Sequence, residues 1–131
     1  MKKLLTACAV LALTPAAWAD GVALVQKMYQ EARHNDGTSV VKKHADGALK
    51  KLIVRSEKSG ELCVDADPMW NNQDPETAAK VSVSALGGNK VRASFVQYGE
   101  RQNIVYTVNC SAAACKVSNV GRLKQTLAAC R

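Results

Sequence analysis

The apolar pattern of this chain changes period at Pro75, and that change limits the folds open to it. Before Pro75, apolar residues recur at helical spacing; after it, they alternate with polar ones. A period of 3.6 belongs to helices, and a period of two belongs to half-buried strands. Val22, Val25, Met28, Tyr29 and Ala32 form one stripe, which predicts a helix over 21–34 capped by Asp20. Asn35-Asp36-Gly37 ends it with turn chemistry. A second helix follows, capped by Thr38 or Ser39, with Val41, Ala45, Ala48, Leu49, Leu52 and Ile53 inside. Lys42, Lys43, Lys50, Lys51 and Arg55 lie outside. Gly47 weakens this helix by about 1 kcal/mol relative to Ala, and it ends before Ser59-Gly60.

Past Pro75 the alternation predicts four strands, over 81–84, 91–96, 104–108 and 116–120, joined by short turns. A short terminal helix over 123–130 carries Leu123 and Leu127 on one face. Helices followed by an antiparallel meander make an α+β order. The simplest architecture packs the N-terminal helices on a curved four-stranded antiparallel sheet, as a single domain over 20–131. Ser82, Ser84, Arg92 and Ser94 then face water on the other side.

The chain opens with Met1-Lys2-Lys3, an apolar run over 4–13, a break at Thr14-Pro15, and Ala17-Trp18-Ala19. This order of charge, apolar core and small-x-small site is a bacterial-type signal peptide over 1–19. The mature chain then begins at Asp20 in the periplasm. The competing box Leu5-Thr6-Ala7-Cys8 would acylate Cys8, but it leaves only seven residues upstream of the cut. No apolar run reaches the roughly 20 residues of a membrane span, so stable membrane insertion is not expected.

Removing the signal takes one cysteine of five and leaves Cys63, Cys110, Cys115 and Cys130. An even number in an oxidising compartment reads as two disulfides. No Cys-x-x-Cys pair is present, and only His34 and His44 would complement thiolates, so no metal or redox centre is expected. Three pairings are open. Cys110 and Cys115 flank a short loop between two strands, which favours Cys110–Cys115 with Cys63–Cys130. The second bond closes a long loop, worth about 4 kcal/mol on the entropic account.

The net charge of +7 falls to +5 without Lys2 and Lys3. In the envelope a basic chain meets anionic lipid, lipopolysaccharide phosphate or acidic proteins rather than nucleic acid. The densest polar cluster is Asp65, Asp67, Asn71, Asn72, Gln73 and Asp74 around Trp70. It reads either as a cation or ligand site, or as Asx turns and caps holding a long connection. The alternating ligands, central Gly and closing Glu of a Ca²⁺ loop are missing. A hydrolase would need two carboxyls at a set separation, with Asp67 and Asp74 as candidates. His34 and His44 stand as ordinary histidines, and no Gly-x-Ser-x-Gly, His-Glu-x-x-His or phosphate loop occurs. Trp70 either plugs the open end of the fold or contacts a partner. Tyr98 and Arg101, near a turn, are candidates for a binding rim.

Val25, Met28 and Tyr29, the stretch Asp67-Pro68-Met69-Trp70-Asn71-Asn72-Gln73-Asp74, and the closing Val117, Val120, Leu123 and Leu127 resemble a known family. It comprises small exported bacterial proteins carrying domain of unknown function 3828. The resemblance implies a cystatin-like or nuclear-transport-factor-2-like (NTF2-like) cone and an envelope location, with no activity attached. The expected role is a non-catalytic periplasmic binding or protein-interaction module, without cofactor. Its partner would be an unknown protein or small ligand of the envelope, and the chain a monomer or weak dimer. The alternatives are an immunity or inhibitor protein against an envelope-acting enzyme, and a carboxylate hydrolase. Mass spectrometry of the exported protein should find an N-terminus at Asp20; a lipid-modified chain starting at Cys8 would contradict the signal assignment.

Overall fold

The computed structural model describes residues 16–130. Most of the expected signal segment, including Cys8, lies outside the described residues. Helix α1 runs Ala16–Ala32. It starts ahead of Asp20, which therefore lies within the helix instead of capping it. Val25, Met28, Tyr29 and Ala32 of the stripe are buried.

The expected second helix is two helices, α2 (Gly37–His44) and α3 (Gly47–Ser59). Asp36, not Thr38 or Ser39, caps α2, with its Oδ2 accepting from the Ser39 N–H at 3.1 Å. The break falls at Ala45-Asp46. There the Asp46 N–H donates to the Val117 carbonyl at 2.8 Å, and Ala45 bridges to Val117. The Asp46 side chain accepts from the Leu49 N–H at 2.9 Å and starts α3. The helix is cut because its backbone finds a strand partner and a new cap at the same place. The restart changes the helical phase, so Ala48, expected inside, is exposed. Gly60, at φ 77°, closes α3 in the left-handed region that glycine enters without a Cβ penalty.

Strands β1 (Ser82–Gly87), β2 (Lys90–Gln97), β3 (Glu100–Cys110) and β4 (Cys115–Val120) form one antiparallel sheet in chain order. Tyr98 and Gly99 join β2 to β3 in a two-residue turn with both φ positive, at 50° and 82°. That mirror-image turn matches the twist of paired strands. The register slips between Thr107 and Val108 against β4, a bulge that leaves Ser118 unpaired. Helix α4 (Leu123–Ala129) follows. Among the described residues the architecture is α+β, with four helices and an open four-stranded sheet.

The helices pack on one face of the sheet. Val91, Ala93, Phe95, Ile104, Tyr106, Val108, Val117 and Val120 meet α1, Leu49 and Ile53 of α3, and Leu123 and Leu127 of α4 in one core. Disulfides join Cys63 to Cys130 and Cys110 to Cys115, the favoured pairing. At the centre Trp70 lies edge-on to Tyr29 and to Phe95, at centroid distances of 5.0 and 5.2 Å. The Tyr106 hydroxyl donates to the Tyr29 hydroxyl at 2.7 Å, and Tyr29 donates to the Met69 carbonyl at 2.7 Å. Burial pushes both hydroxyls well above the usual tyrosine range, which keeps them protonated as donors.

The relay is asymmetric. Tyr29→Phe strands both the Tyr106 hydroxyl and the Met69 carbonyl, at about 1–3 kcal/mol for each buried group. Tyr106→Phe leaves the Tyr29–Met69 bond intact and costs about 1 kcal/mol. Urea unfolding should rank Tyr29→Phe as the more destabilised variant; the reverse ranking would contradict the relay.

Candidate functional site

The connection between α3 and β1 holds the cluster singled out from the sequence. Pro68 to Asn71 makes a single turn, closed by a bridge between Asp67 and Asn72. The Asp67 N–H donates to the Asn72 carbonyl at 3.0 Å, and the Asp67 carbonyl accepts from the Asn71 N–H at 2.7 Å. Asn71 takes φ 52°, a left-handed conformation that Asn tolerates better than most residues. The Asp67 carboxylate is fully engaged. Its Oδ1 accepts from the Met69 N–H at 2.9 Å in an Asx turn, and its Oδ2 accepts from the Gly37 N–H at 2.9 Å. Gly37 is a glycine for a reason of space, since a Cβ there would collide with the Asp67 carboxylate. Burial raises the Asp67 carboxyl above the usual range, outweighing the backbone N–H groups that lower it.

The rest of the connection is tied to the β2–β3 hairpin. Asn71 Nδ2 donates to Gln102 Oε1 at 3.0 Å. The Tyr98 hydroxyl donates to the Asp74 carbonyl, and the Tyr98 N–H to Glu76 Oε1 at 2.8 Å. Buried Gln97 exchanges two bonds with the Glu76 backbone, at 2.9 and 3.0 Å. Arg33, just after α1, donates to the Thr77 and Ala79 carbonyls at 2.6 and 3.2 Å. Trp70, expected as either a plug or a partner contact, is 0% exposed. Its side chain is packed inside the core and presents no surface for a partner. Gln73 is exposed. Among the described residues no three His, Cys, Asp or Glu side chains group to hold a metal ion. His44 Nε2 meets Glu31 Oε1 at 2.8 Å in a tie between α2 and α1, and His34 is exposed.

Beside the connection lies a cleft of about 400 Å³. Asp65, Asp67 and Asn71 form one wall, and Asn103, Ile104, Arg122 and Thr126 form the other. Sequence reasoning missed the second wall because it depends on the β3 register and the β4–α4 turn.

The outer face of the sheet carries a different chemistry. The register places Ser82, Ser84, Lys90, Arg92, Ser94, Val96, Arg101, Asn103, Val105, Thr107, Asn109, Lys116 and Asn119 on it. None of these is a carboxylate. No helix packs on this face among the described residues. Ser82, Ser84, Arg92 and Ser94 were legible from the alternation. Arg101 is the second residue of β3, just past the Tyr98-Gly99 turn, and donates to Ser94 Oγ at 3.2 Å.

A Bacteroides thetaiotaomicron protein of unknown function has a similar solved structure, with a TM-score of 0.58 and 17% identity. The likeness covers 78% of this chain and 88% of that one. At that identity it shows the fold alone. No family model matches the chain, and no curated protein matches it. Among the described residues no helix is long and apolar enough to cross a membrane. The two disulfides fit an oxidising compartment.

Asp67→Asn keeps one acceptor oxygen for two backbone N–H groups and should cost about 1–3 kcal/mol. A carboxyl whose folded pKa is raised adds stability that is present below its unfolded pKa, near 3.9, and lost as pH rises through the folded value. Urea unfolding of both proteins should therefore show a larger deficit for Asp67→Asn at acid pH than near neutrality. A deficit that grows with pH would contradict the raised carboxyl.

Proposed function

We propose that this protein is a non-catalytic binding module exported to the bacterial envelope, with the outer face of its sheet as the contact surface. That face carries the reading. Its charged side chains are Lys90, Arg92, Arg101 and Lys116, and no carboxylate interrupts them. An uncovered sheet face with one sign of charge is a ready electrostatic contact. Two disulfides support residence in the periplasm.

The engagement of Asp67 supports a role without catalysis. A hydrolase at this connection would need a carboxyl free to take up or release a proton at its substrate. Both Asp67 oxygens already accept backbone N–H groups. We read the fold as a variant of the cystatin-like or nuclear-transport-factor-2-like cone, plugged by Trp70, as in the family with domain of unknown function 3828. An immunity protein or inhibitor against an envelope-acting enzyme is one specific form of such a module.

The test is affinity capture from periplasmic extract with the mature protein and with its Arg92→Glu/Arg101→Glu variant. One protein retained in stoichiometric amount by the native chain and lost from the variant is expected. Identical capture by both proteins would contradict the sheet face as the contact surface.

A further inference from the structure

We infer that the outer face of the sheet docks an acidic protein surface. The inference rests on reading that face as the contact surface and adds the chemistry of the partner.

The strand register sets the pattern. Arg92 lies opposite Val105 and beside Ser84; Arg101 lies opposite Val96; Lys90 lies opposite Thr107; Lys116 lies opposite Asn109. The rows of Arg101 and Arg92 are four residues apart along the sheet, about 14 Å at strand rise. Neutral donors and acceptors fill the spaces between the cations. Lys90 Nζ donates to Thr107 Oγ1 at 2.7 Å and Arg101 to Ser94 Oγ. Neither bond neutralises a charge. The ion pairs Lys42–Glu57, Lys43–Glu31 and His44–Glu31 all belong to the helical side. The chain therefore spends these carboxylates where the helices meet and leaves the sheet face cationic.

Three occupants compete for such a face. A second copy would set the same cations against one another, which like charges oppose. An anionic lipid surface would gain about 1 kcal/mol per cation near it, but anchoring also needs apolar or aromatic insertion. The exposed large apolar side chains of the strands are Leu86, at the β1 irregularity, and Val96 and Val105, each opposite an arginine. The exposed aromatic nearby, Tyr98 in the β2–β3 turn, is tied to the Asp74 carbonyl. An acidic protein uses everything the face offers. Its carboxylates meet the arginine forks in bidentate geometry, and its backbone and side-chain groups meet Ser84, Ser94, Asn103 and Thr107. Arginine is also enriched at protein interface hot spots, whereas lysine is depleted at interfaces. The rival basic surface is lysine-rich. Lys50, Lys51 and Lys58 surround Val54 on α3, and Arg55 there is held by the Leu127 carbonyl at 3.1 Å. That surface suits a lipid headgroup better than a specific protein.

The test is an NMR titration of the full mature protein with poly-L-glutamate at low salt. Saturable shifts should concentrate in outward residues of β2 and β3 between Lys90 and Thr107. Affinity should fall about tenfold or more with Arg92→Glu/Arg101→Glu and with added salt. Both arginines are exposed, so the variant should keep the native thermal midpoint. Shifts confined to α3, or no saturable shift, would overturn the inference. So would tighter binding of phosphatidylglycerol vesicles than of poly-L-glutamate through the same residues. If poly-L-glutamate fails to bind while capture of a partner still depends on Arg92 and Arg101, the acidic-protein inference fails and the contact surface stands. If capture is also unaffected, both fail.

Discussion

Trp70 is the largest fully buried side chain, and it comes from a connection with no helix or strand of its own. Its indole sits between Tyr29 of α1 and Phe95 of β2. Truncating a buried tryptophan typically costs about 3–5 kcal/mol, because the transfer term and the cavity add. The indole Nε1 has no hydrogen-bond partner among the described residues, a cost of about 1–3 kcal/mol that the edge-to-face contacts must offset. The surrounding polar groups aim this side chain inward. Asp67 forms the turn and reaches Gly37, which joins the connection to the start of α2. Tyr29 takes the Met69 carbonyl. Helix, connection and sheet thus meet at one residue.

That arrangement decides what the acidic cluster does. Asp67 accepts the N–H groups of Gly37 and Met69, and Asn72 Oδ1 accepts the Asp74 N–H at 2.8 Å. Asp36 and Asp46 cap helices, while Glu31 and Glu57 pair with cations between helices. Lys43 and then His44 hold the Glu31 carboxyl below the usual range. These uses gather negative charge on the helical side. A chain with a modest net charge thereby presents a face of one sign, which acts over longer range than the total suggests.

The change of period at Pro75 made the α+β order and the four strands legible, since both faces of each strand are written in alternate residues. The disulfide pairing followed from Cys110 and Cys115 flanking a short loop. The division of the second helix was not legible. Gly47 signalled weakness, but the cut depends on the carbonyl of Val117, 71 residues beyond Asp46 in the chain. The start of α1 at Ala16 escaped for a related reason, because Asp20 has the chemistry of a cap and yet continues the helix. Part of the candidate site was visible as Asx turns in the Asp67–Asp74 stretch. Asn103 and Arg122 were not singled out, because their placement depends on β3 register and a turn geometry that no local pattern encodes.

The burial of Trp70 has a direct optical readout. In a chain over 20–131, Trp70 is the one tryptophan. Fluorescence of the folded mature protein should show a blue-shifted emission maximum and weak quenching by acrylamide, with both lost on unfolding. Emission like that of indole in water, quenched freely in the native state, would contradict the plugged core.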